Sequence, residues 1–456
     1  MPKILEGARV IDPQVGLDAV ANIYIRDGRV VRVAGAGAQG EPDGVVNEAE
    51  WADAERIDLT GKIVLPGLFD MHVHFREPGQ EHKEDIRTGS RAAARGGFTG
   101  VATMANTTPV VDNAKLIERQ IERGAEVGLV DIFPIGAVTK GLEGKELSEM
   151  GEMAQAGAVA FSDDGHGIQH TGLMRLALDY AKVWDRPIIT HSQDESLVGS
   201  GVVNSGVVAT RLGLAGWPAQ GEVVQILRDV ELAKLTGGRL HIGHISTAAG
   251  VQAVRATKAA GVNVTAEATP HHLFLTEDDI TTEYETYLKV NPPLRTSEDA
   301  AALAAGVADG TIDAIATDHA PHAAHEKDLE FENAPFGMIG LETALPSVFT
   351  GLVAPGRIGW ERVIELMVAR PREILRLHPQ RIEAGAEANL CVFDPEGTTP
   401  VDRDHLASKS ANSGFWGRTL AGAVWGTLLR GQFTYREGKS LSLIHISEPT
   451  RRTPIS

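Results

Sequence analysis

From Lys62 to Thr317 short apolar runs alternate with Ala/Leu/Glu-rich stretches of helical period. The apolar runs are Lys62–Val73, Gly97–Met104, Val130–Val138, Ala158–Asp163, Arg186–His191, Arg239–Ile245, Val262–Ala268 and Ile312–Thr317. Several, such as Ala314-Ile315-Ala316, are apolar without alternation, as strands are when both sheet faces are covered. Ala114–Arg123 and Val251–Ala260 are examples of the intervening helices. Eight strand–helix units in succession predict an α/β fold with a closed parallel (β/α)8 TIM-like barrel over 63–380. The spacing is uneven and there is no strict repeat.

The two ends carry a different pattern. Ala21–Arg26 alternates, Asp27-Gly28 makes a turn, and Arg29–Val33 follows, which predicts a hairpin. Residues 38–56, rich in Gly, Glu and Asp, read as a loop, and no helix is expected in 1–62. Within 381–440, Leu390–Asp394 reads as a strand, and Gly417–Tyr435 as further strands separated by glycines. The simplest architecture joins 1–62 and 381–440 into one small composite β-sandwich domain beside the barrel. Leu441–Ser456 contains neither Gly nor Ala and includes Ser-Glu-Pro-Thr-Arg-Arg-Thr-Pro; it reads as a non-native or disordered tail outside the fold.

Composition narrows the class. Of 456 residues, 43% are apolar, which suits a globular chain rather than a disordered one. Lys+Arg number 43 against 61 Asp+Glu, a net charge of −18 that argues against nucleic acid or an anionic membrane as partner. Cys391 is the single cysteine, so no internal disulfide can form, and no run approaches the roughly 20 apolar residues of a membrane span. The expectation is a cytoplasmic protein.

The chemistry concentrates where the barrel strands end. In Asp70-Met71-His72-Val73-His74-Phe75-Arg76 the two histidines are two residues apart, so they share one strand face and could hold one metal. A bare pair of this kind would more often be a solvated strand end. Here it lies at the C-terminal mouth of a barrel strand, where barrel enzymes keep their catalytic groups. The run Ile63-Val64-Leu65 is expected to keep that strand rigid. Strand four ends in Asp163-Asp164-Gly165, strand five in His191, strand six carries His241 and His244, and strand eight ends in Asp318. Singly, each would be a core histidine or a helix N-cap; together, on five strands, they point to one centre.

Four imidazoles and two carboxylates suit zinc, or a pair of zinc ions sharing a carboxylate from strand four. The chemistry is then metal-assisted hydrolysis, with Asp318 placed to shuttle a proton. Arg76, two residues beyond His74, should reach the same mouth, and its planar fork suits a carboxylate. Spacing leaves Asp163 against Asp164 and His241 against His244 open. Gly165-His166-Gly167-Ile168 reads as a turn in preference to a loop that moves over the site.

These residues resemble a known family. His72-Val73-His74-Phe75-Arg76-Glu77-Pro78-Gly79, Met104–Pro109, Phe161–Gly165, His241–Ser246, Asn291-Pro292-Pro293-Leu294-Arg295 and Asp318-His319-Ala320-Pro321-His322 are similar to the motifs of the amidohydrolase superfamily and, within it, of the long bacterial dihydroorotases. The likeness runs in order over about residues 1–440. It implies a zinc-dependent cyclic-amide hydrolase of pyrimidine biosynthesis that interconverts N-carbamoyl-L-aspartate and L-dihydroorotate plus water. His72 and His74 would bind a first zinc, His191 and His244 a second, Asp164 would bridge them, and Asp318 would be first-zinc ligand and general base. Asp164 is chosen because the family motif places the ligand directly before the glycine. His244 is chosen by the match to His244-Ile245-Ser246-Thr247, which leaves His241 structural.

Substrate contacts would come from His74, Arg76, Asn106, Asn291, His322, Phe336 and Gly337. Relatives such as hydantoinases bridge with a carboxylated lysine on strand four; here Asp163-Asp164 stands there with no lysine nearby. That departure implies the aspartate-bridged subgroup, with the second ion held weakly. The resemblance also implies a homodimer and allows association with aspartate transcarbamoylase. Rival readings are an allantoinase, a dihydropyrimidinase or hydantoinase, and a non-catalytic partner of the transcarbamoylase. Arg76 and Asn106 count against the first group, and the full ligand set against the last.

Overall fold

In the computed structural model, which describes residues 1–35 and 48–439, each expected strand region can be compared with its hydrogen bonds. At the N-terminal end lie β1 (Lys3–Asp12), β2 (Leu17–Arg26), β3 (Arg29–Gly35), β4 (Glu55–Asp58) and β5 (Ile63–Pro66). The predicted hairpin joins β2 to β3 antiparallel, and Asp27 and Gly28 both take positive φ (51° and 77°), the twist a two-residue loop needs. The stretch read as a loop is partly structured. Glu48–Trp51 forms a 3-10 turn, and β4 lies parallel to β1. The ring of Trp51 packs edge-on to Tyr24 and under Arg26, anchoring a segment whose charged composition hid it. Residues 36–47 and the tail 441–456 lie outside the described residues.

The barrel strands are β6 (Leu68–Val73), β7 (Phe98–Thr103), β8 (Asp131–Pro134), β9 (Phe161–Ser162) and β10 (Ile188–Thr190); then, after a short side pair β11 (Val203–Asn204) and β12 (Gly216–Trp217), come β13 (Leu240–Ile242), β14 (Val264–Ala268) and β15 (Ala314–Ile315). All pair parallel, in the orders β6-β7-β8 and β9-β10-β13-β14-β15. Parallel bridges Gly136↔Phe161 and Val73↔His319 join the two sheets at both seams, so eight strands close on themselves. Phe69, Met71, Ala102, Ile189 and Ala314 bury together, and the barrel is filled rather than hollow. Helices Ala114–Val127 and Ala248–Ala259 stand where helical period put them, each capped by the residue before it, Asn113 and Thr247.

One expected strand divides. Lys62–Val73 is not continuous: Ile63–Pro66 belongs to the sheet of the chain ends and only Leu68–Val73 to the barrel. The switch occurs at Gly67, whose N–H donates to Asn389 O (2.8 Å) while the next N–H, that of Leu68, donates to Gly97 O (3.1 Å). A Cβ at Gly67 would collide with the Thr99 side chain, so only glycine passes here. Ile63-Val64-Leu65 therefore does not brace the histidine strand; β7 and the bridge to His319 do.

The C-terminal strands are β16 (Leu390–Pro400), β17 (Thr419–Leu429) and β18 (Gln432–Arg436). β16 pairs antiparallel with β5, from Leu390↔Pro66 to Phe393↔Ile63, so the two chain ends share one sheet in the order β18-β17-β16-β5-β1-β2-β3, with β4 beside β1. Leu5, Val10, Ile23, Val64, Leu390, Val392 and Leu428 form its own apolar core.

A candidate metal centre at the strand ends

Asp70 sets the height of the site. Its buried carboxylate accepts from the backbone N–H of His72 (3.1 Å) and of Thr317 (3.2 Å), locking the ends of β6 and β15 side by side. Beyond these locks, Arg76, His244 and Asp318 all hold positive φ (59°, 29° and 47°). Non-glycine residues enter that region at a cost of about 1–3 kcal/mol, and they do so mostly where a site fixes a side chain's direction.

Asp164 lies at the centre. Its Oδ1 is 3.5 Å from His72 Nε2, 3.4 Å from His191 Nδ1 and 3.3 Å from His244 Nε2; its Oδ2 is 3.5 Å from His74 Nε2. Asp318 Oδ1 completes the group at 2.9 Å from His74 Nε2 and 3.5 Å from His72 Nε2. All six side chains are buried. The donor atoms of five of them fall into two triads that share one carboxylate: His72, His74 and Asp164, and Asp164, His191 and His244. Burial alone would raise the Asp164 carboxyl, yet His72, His191 and His244 hold it well below the carboxylate range. Asp318 is likewise lowered, against burial, by His74, His72 and His244.

The hydrogen bonds behind the imidazoles suit cation ligation. His72 Nδ1 meets Glu267 Oε1 at 2.6 Å, His74 Nδ1 meets Asn106 Oδ1 at 2.8 Å, and His191 Nε2 meets Gln193 Oε1 at 2.8 Å. With a cation bound, these outer nitrogens would carry the hydrogen in each ring, leaving the inner nitrogen's lone pair free to ligate. His72 Nε2 is buried with no hydrogen-bond partner. A buried, unpaired ligand atom costs free energy unless something occupies the point it faces, and a divalent cation in each triad would do so. The residues fit a metal centre.

The expected substrate residues gather around this centre. Asn106 Nδ2 lies 3.4 Å from Asp164 Oδ2. Asn291 sits opposite, with Nδ2 3.0 Å from Gln193 Oε1 and Oδ1 buried without a partner. Arg76 is buried and donates through Nε to Pro321 O (3.2 Å), with no carboxylate within salt-bridge distance among the described residues; burial pulls its guanidinium down to about 10. His322 Nε2 lies 2.8 Å from Phe336 O and 3.5 Å from Arg76 Nη2, which joins the Phe336-Gly337 segment to the arginine.

Of each pair left open by spacing, one member faces the centre. Asp163 turns away, accepting from the N–H groups of Val138 (2.8 Å) and Thr139 (2.9 Å) and from the Thr139 hydroxyl. His241 lies behind the site between Thr265 Oγ1 (2.8 Å) and Glu267 Oε2 (3.1 Å). The 165–168 segment is a packed turn, with His166 and Gly167 donating to Asp163 O and Ile168 buried.

Sequence reasoning passed over Glu267, Gln193 and His271. Glu267 is fully buried on the seventh strand, where no ligand was sought, although a glutamate inside Val264-Thr265-Ala266-Glu267-Ala268 was a signal. Gln193 follows His191 by two residues, the same spacing that exposed His72 and His74. His271 is buried with Nε2 unpaired, and burial pulls its imidazole down to about 4.

Comparison with known proteins agrees with this geometry. Residues 61–249 match the family described as Dihydro-orotase-like. The chain is 48% identical over 437 residues to the dihydroorotase of Pelotomaculum thermopropionicum, covering 96% of this chain and 99% of that one. It is 46% identical over 437 residues to the dihydroorotase of Anaeromyxobacter dehalogenans strain 2CP-C, covering 96% and 98%. Among solved structures, the L-hydantoinase (dihydropyrimidinase) of Arthrobacter aurescens superposes with a TM-score of 0.82 at 26% identity, covering 97% of this chain and 98% of that one. The dihydropyrimidinase of Brevibacillus agri NCHU1002 gives 0.80 at 20% identity, covering 96% and 95%, a likeness of fold.

Proposed function

The chain belongs to the dihydroorotase family, and from that membership and the strand-end geometry we propose that it interconverts N-carbamoyl-L-aspartate and L-dihydroorotate plus water with a pair of zinc ions. It is a cyclic-amide hydrolase. The observation that carries the metal reading is Asp164, its two oxygens within 3.5 Å of four imidazoles that split into two triads. His72, His74 and Asp318 would hold one ion, His191 and His244 the other, with Asp164 between them. Nitrogen-rich donor sets favour zinc over magnesium or calcium. The second triad has two imidazoles and the shared carboxylate as its whole protein ligand set, so its ion is the more weakly held.

When bound, the metal pair supplies Lewis acidity and a nucleophilic water near neutral pH. The protein's own groups do the rest. Asp318, whose Oδ1 lies 2.9 Å from His74 Nε2, takes the proton of the attacking water and delivers it to the leaving ring nitrogen; in ring closure the same carboxyl starts protonated. Arg76, a buried cation whose polar contacts among the described residues are Pro321 O and His322 Nε2, takes the substrate carboxylate through its fork. Asn106 and Asn291 hydrogen-bond the substrate, and Phe336-Gly337 with His322 frames the ring. Hydrolysis turns a monoanion into a dianion and releases a proton, so ring closure is favoured toward low pH.

We place this reaction in pyrimidine biosynthesis in the cytoplasm, with the single Cys391 and the absence, among the described residues, of a helix long and apolar enough to cross a membrane as support. A homodimer, and association with aspartate transcarbamoylase, are proposed on family likeness alone. The test is metal analysis with a dihydroorotate hydrolysis assay on one preparation, before and after chelation, with hydantoin and allantoin as rival substrates. Zinc-dependent turnover confined to dihydroorotate is expected; turnover of hydantoin or allantoin instead would overturn the assignment.

A further inference from the structure

We infer that Gln193 is a positioning residue that couples the second metal site to substrate recognition by fixing which atom of Asn291 faces the substrate. The metal half of this inference stands on side-chain geometry; its substrate half rests on the proposed function.

The argument follows hydrogens along one chain of atoms. His191 Nδ1 lies 2.8 Å from His244 Nε2 and 3.4 Å from Asp164 Oδ1, at the point the second triad encloses. A nitrogen that ligates a cation must present its lone pair, so the hydrogen of a neutral His191 sits on Nε2. Nε2 faces the Gln193 side-chain amide at 2.8 Å, and only that amide's oxygen can receive it. The same oxygen is 3.0 Å from Asn291, so Asn291 must offer its NH2 there. Once the NH2 is committed, Asn291 Oδ1 is the atom left pointing elsewhere, and it is buried with no partner. Ligation at His191 thereby dictates, two hydrogen bonds away, that Asn291 accepts.

An amide oxygen attracts N–H donors and repels carboxylates. Dihydroorotate and carbamoyl aspartate both carry N–H groups and a carboxylate, and Arg76 answers the carboxylate. Asn291 so oriented reads the nitrogen side of the substrate. Gln193 is held for this task from its main chain: its carbonyl accepts from Gln169 Nε2 (2.8 Å), and the next N–H, of Asp194, donates to Gly221 O (2.8 Å). The relay spans 98 positions between Gln193 and Asn291; no local motif contains both.

Two variants test the relay. Gln193→Met keeps the length and removes the acceptor; Gln193→Glu keeps an acceptor oxygen toward both neighbours. Zinc affinity is measured by competition with a chromophoric chelator, which needs no turnover, and kcat and KM for dihydroorotate are measured at saturating zinc. Gln193→Met should bind its weaker zinc about 10–100-fold less tightly, as loss of a group behind a ligand histidine usually does. Its KM should rise roughly tenfold, the scale of one recognition hydrogen bond, with a smaller change in kcat. Gln193→Glu should restore both readouts to within about threefold, and Gln193→Met should add little to the KM of Asn291→Ala. Wild-type zinc affinity in Gln193→Met, an unchanged KM at saturating zinc, or a Gln193→Glu variant as impaired as Gln193→Met would each overturn the relay. A wild-type protein that binds two zinc ions but ignores dihydroorotate would instead sink the proposed function and leave the zinc readout of Gln193 standing.

Discussion

His72 Nδ1 and Glu267 Oε1 lie 2.6 Å apart, both side chains fully buried, although 195 positions separate them. The same carboxylate meets His241 Nε2 (3.1 Å) and the backbone N–H of His244 (3.3 Å), so one acid on the seventh strand orients groups from strands one and six. Removing it leaves His72 free to turn and His241 without its partner. Glu267→Ala should lower zinc affinity by about 10–100-fold and stability by roughly 3–5 kcal/mol, the usual cost of breaking a buried pair. Chelator competition and thermal melting measure the two effects; an unchanged zinc affinity would show that Glu267 does not orient the ligand.

Asp318 Oδ1 lies 2.9 Å from His74 Nε2 and 3.5 Å from His72 Nε2, on a backbone of positive φ. Asp318→Ala should cut kcat by about 10²–10⁴-fold, the range for a proton-transfer group. Assay at saturating zinc separates the proton-transfer loss from a loss of metal. Retention of more than about a tenth of wild-type kcat would reject the general-base role.

Much of this site was legible in the chain because barrel geometry turns sequence position into spatial position. A ligand two residues past another on a strand shares its face, and successive strand ends converge at one mouth. That logic singled out His72, His74, His191 and Asp318, side chains that the fold brings together. It could not separate Asp163 from Asp164, adjacent residues that point opposite ways, until backbone donors at Val138 and Thr139 claimed the first. It also read Lys62–Val73 as one strand, because apolar character does not reveal that Gly67 hands the chain from one sheet to another. Glu267 and Gln193 escaped because each acts through a histidine rather than at the centre.

Metal removal should be felt by the whole fold. Six buried donors surround the centre, and His72 Nε2 has no hydrogen-bond partner among the described residues. A ligand that binds only the native state stabilises it by about 2.7 kcal/mol at a concentration 100 times its dissociation constant. Dialysis against a chelator should therefore lower Tm and abolish hydrolysis, and added zinc should restore both together. Restoration of activity with no change in Tm would argue that the ions contribute nothing to folding.

Gly337 has φ of 130°, and a Cβ there would lie 2.8 Å from Ala320 Cβ and 3.1 Å from His322 Nε2. Its N–H and carbonyl are both held, by Lys289 O (2.9 Å) and Asn412 Nδ2 (3.1 Å), so the segment cannot simply relax. Gly337→Ala should cost about 1–3 kcal/mol of stability through backbone strain. It should also displace Phe336 and His322, raising KM for dihydroorotate more than it lowers kcat. Steady-state kinetics with a denaturant melt would check this; wild-type KM would remove Phe336-Gly337 from the substrate site.

Glu342 provides a pH test away from the metal ligands. Burial pushes its carboxyl up to about 7, with Glu84 adding to the rise. The N–H groups of Ala407 and Ser408 and the Arg95 guanidinium, 3.2 Å away, oppose it. Between its ordinary value of 4.5 and about 7 the folded state binds a proton that the unfolded state has lost, so stability is greatest below 4.5 and falls as pH rises through 7. The full span corresponds to roughly 3 kcal/mol. Glu342→Gln cannot ionise and should lack this slope. Denaturant midpoints measured from about pH 4.5 to 8 should show the wild type losing stability relative to the variant as pH rises; curves that ran parallel would mean that Glu342 is ionised in the folded protein throughout.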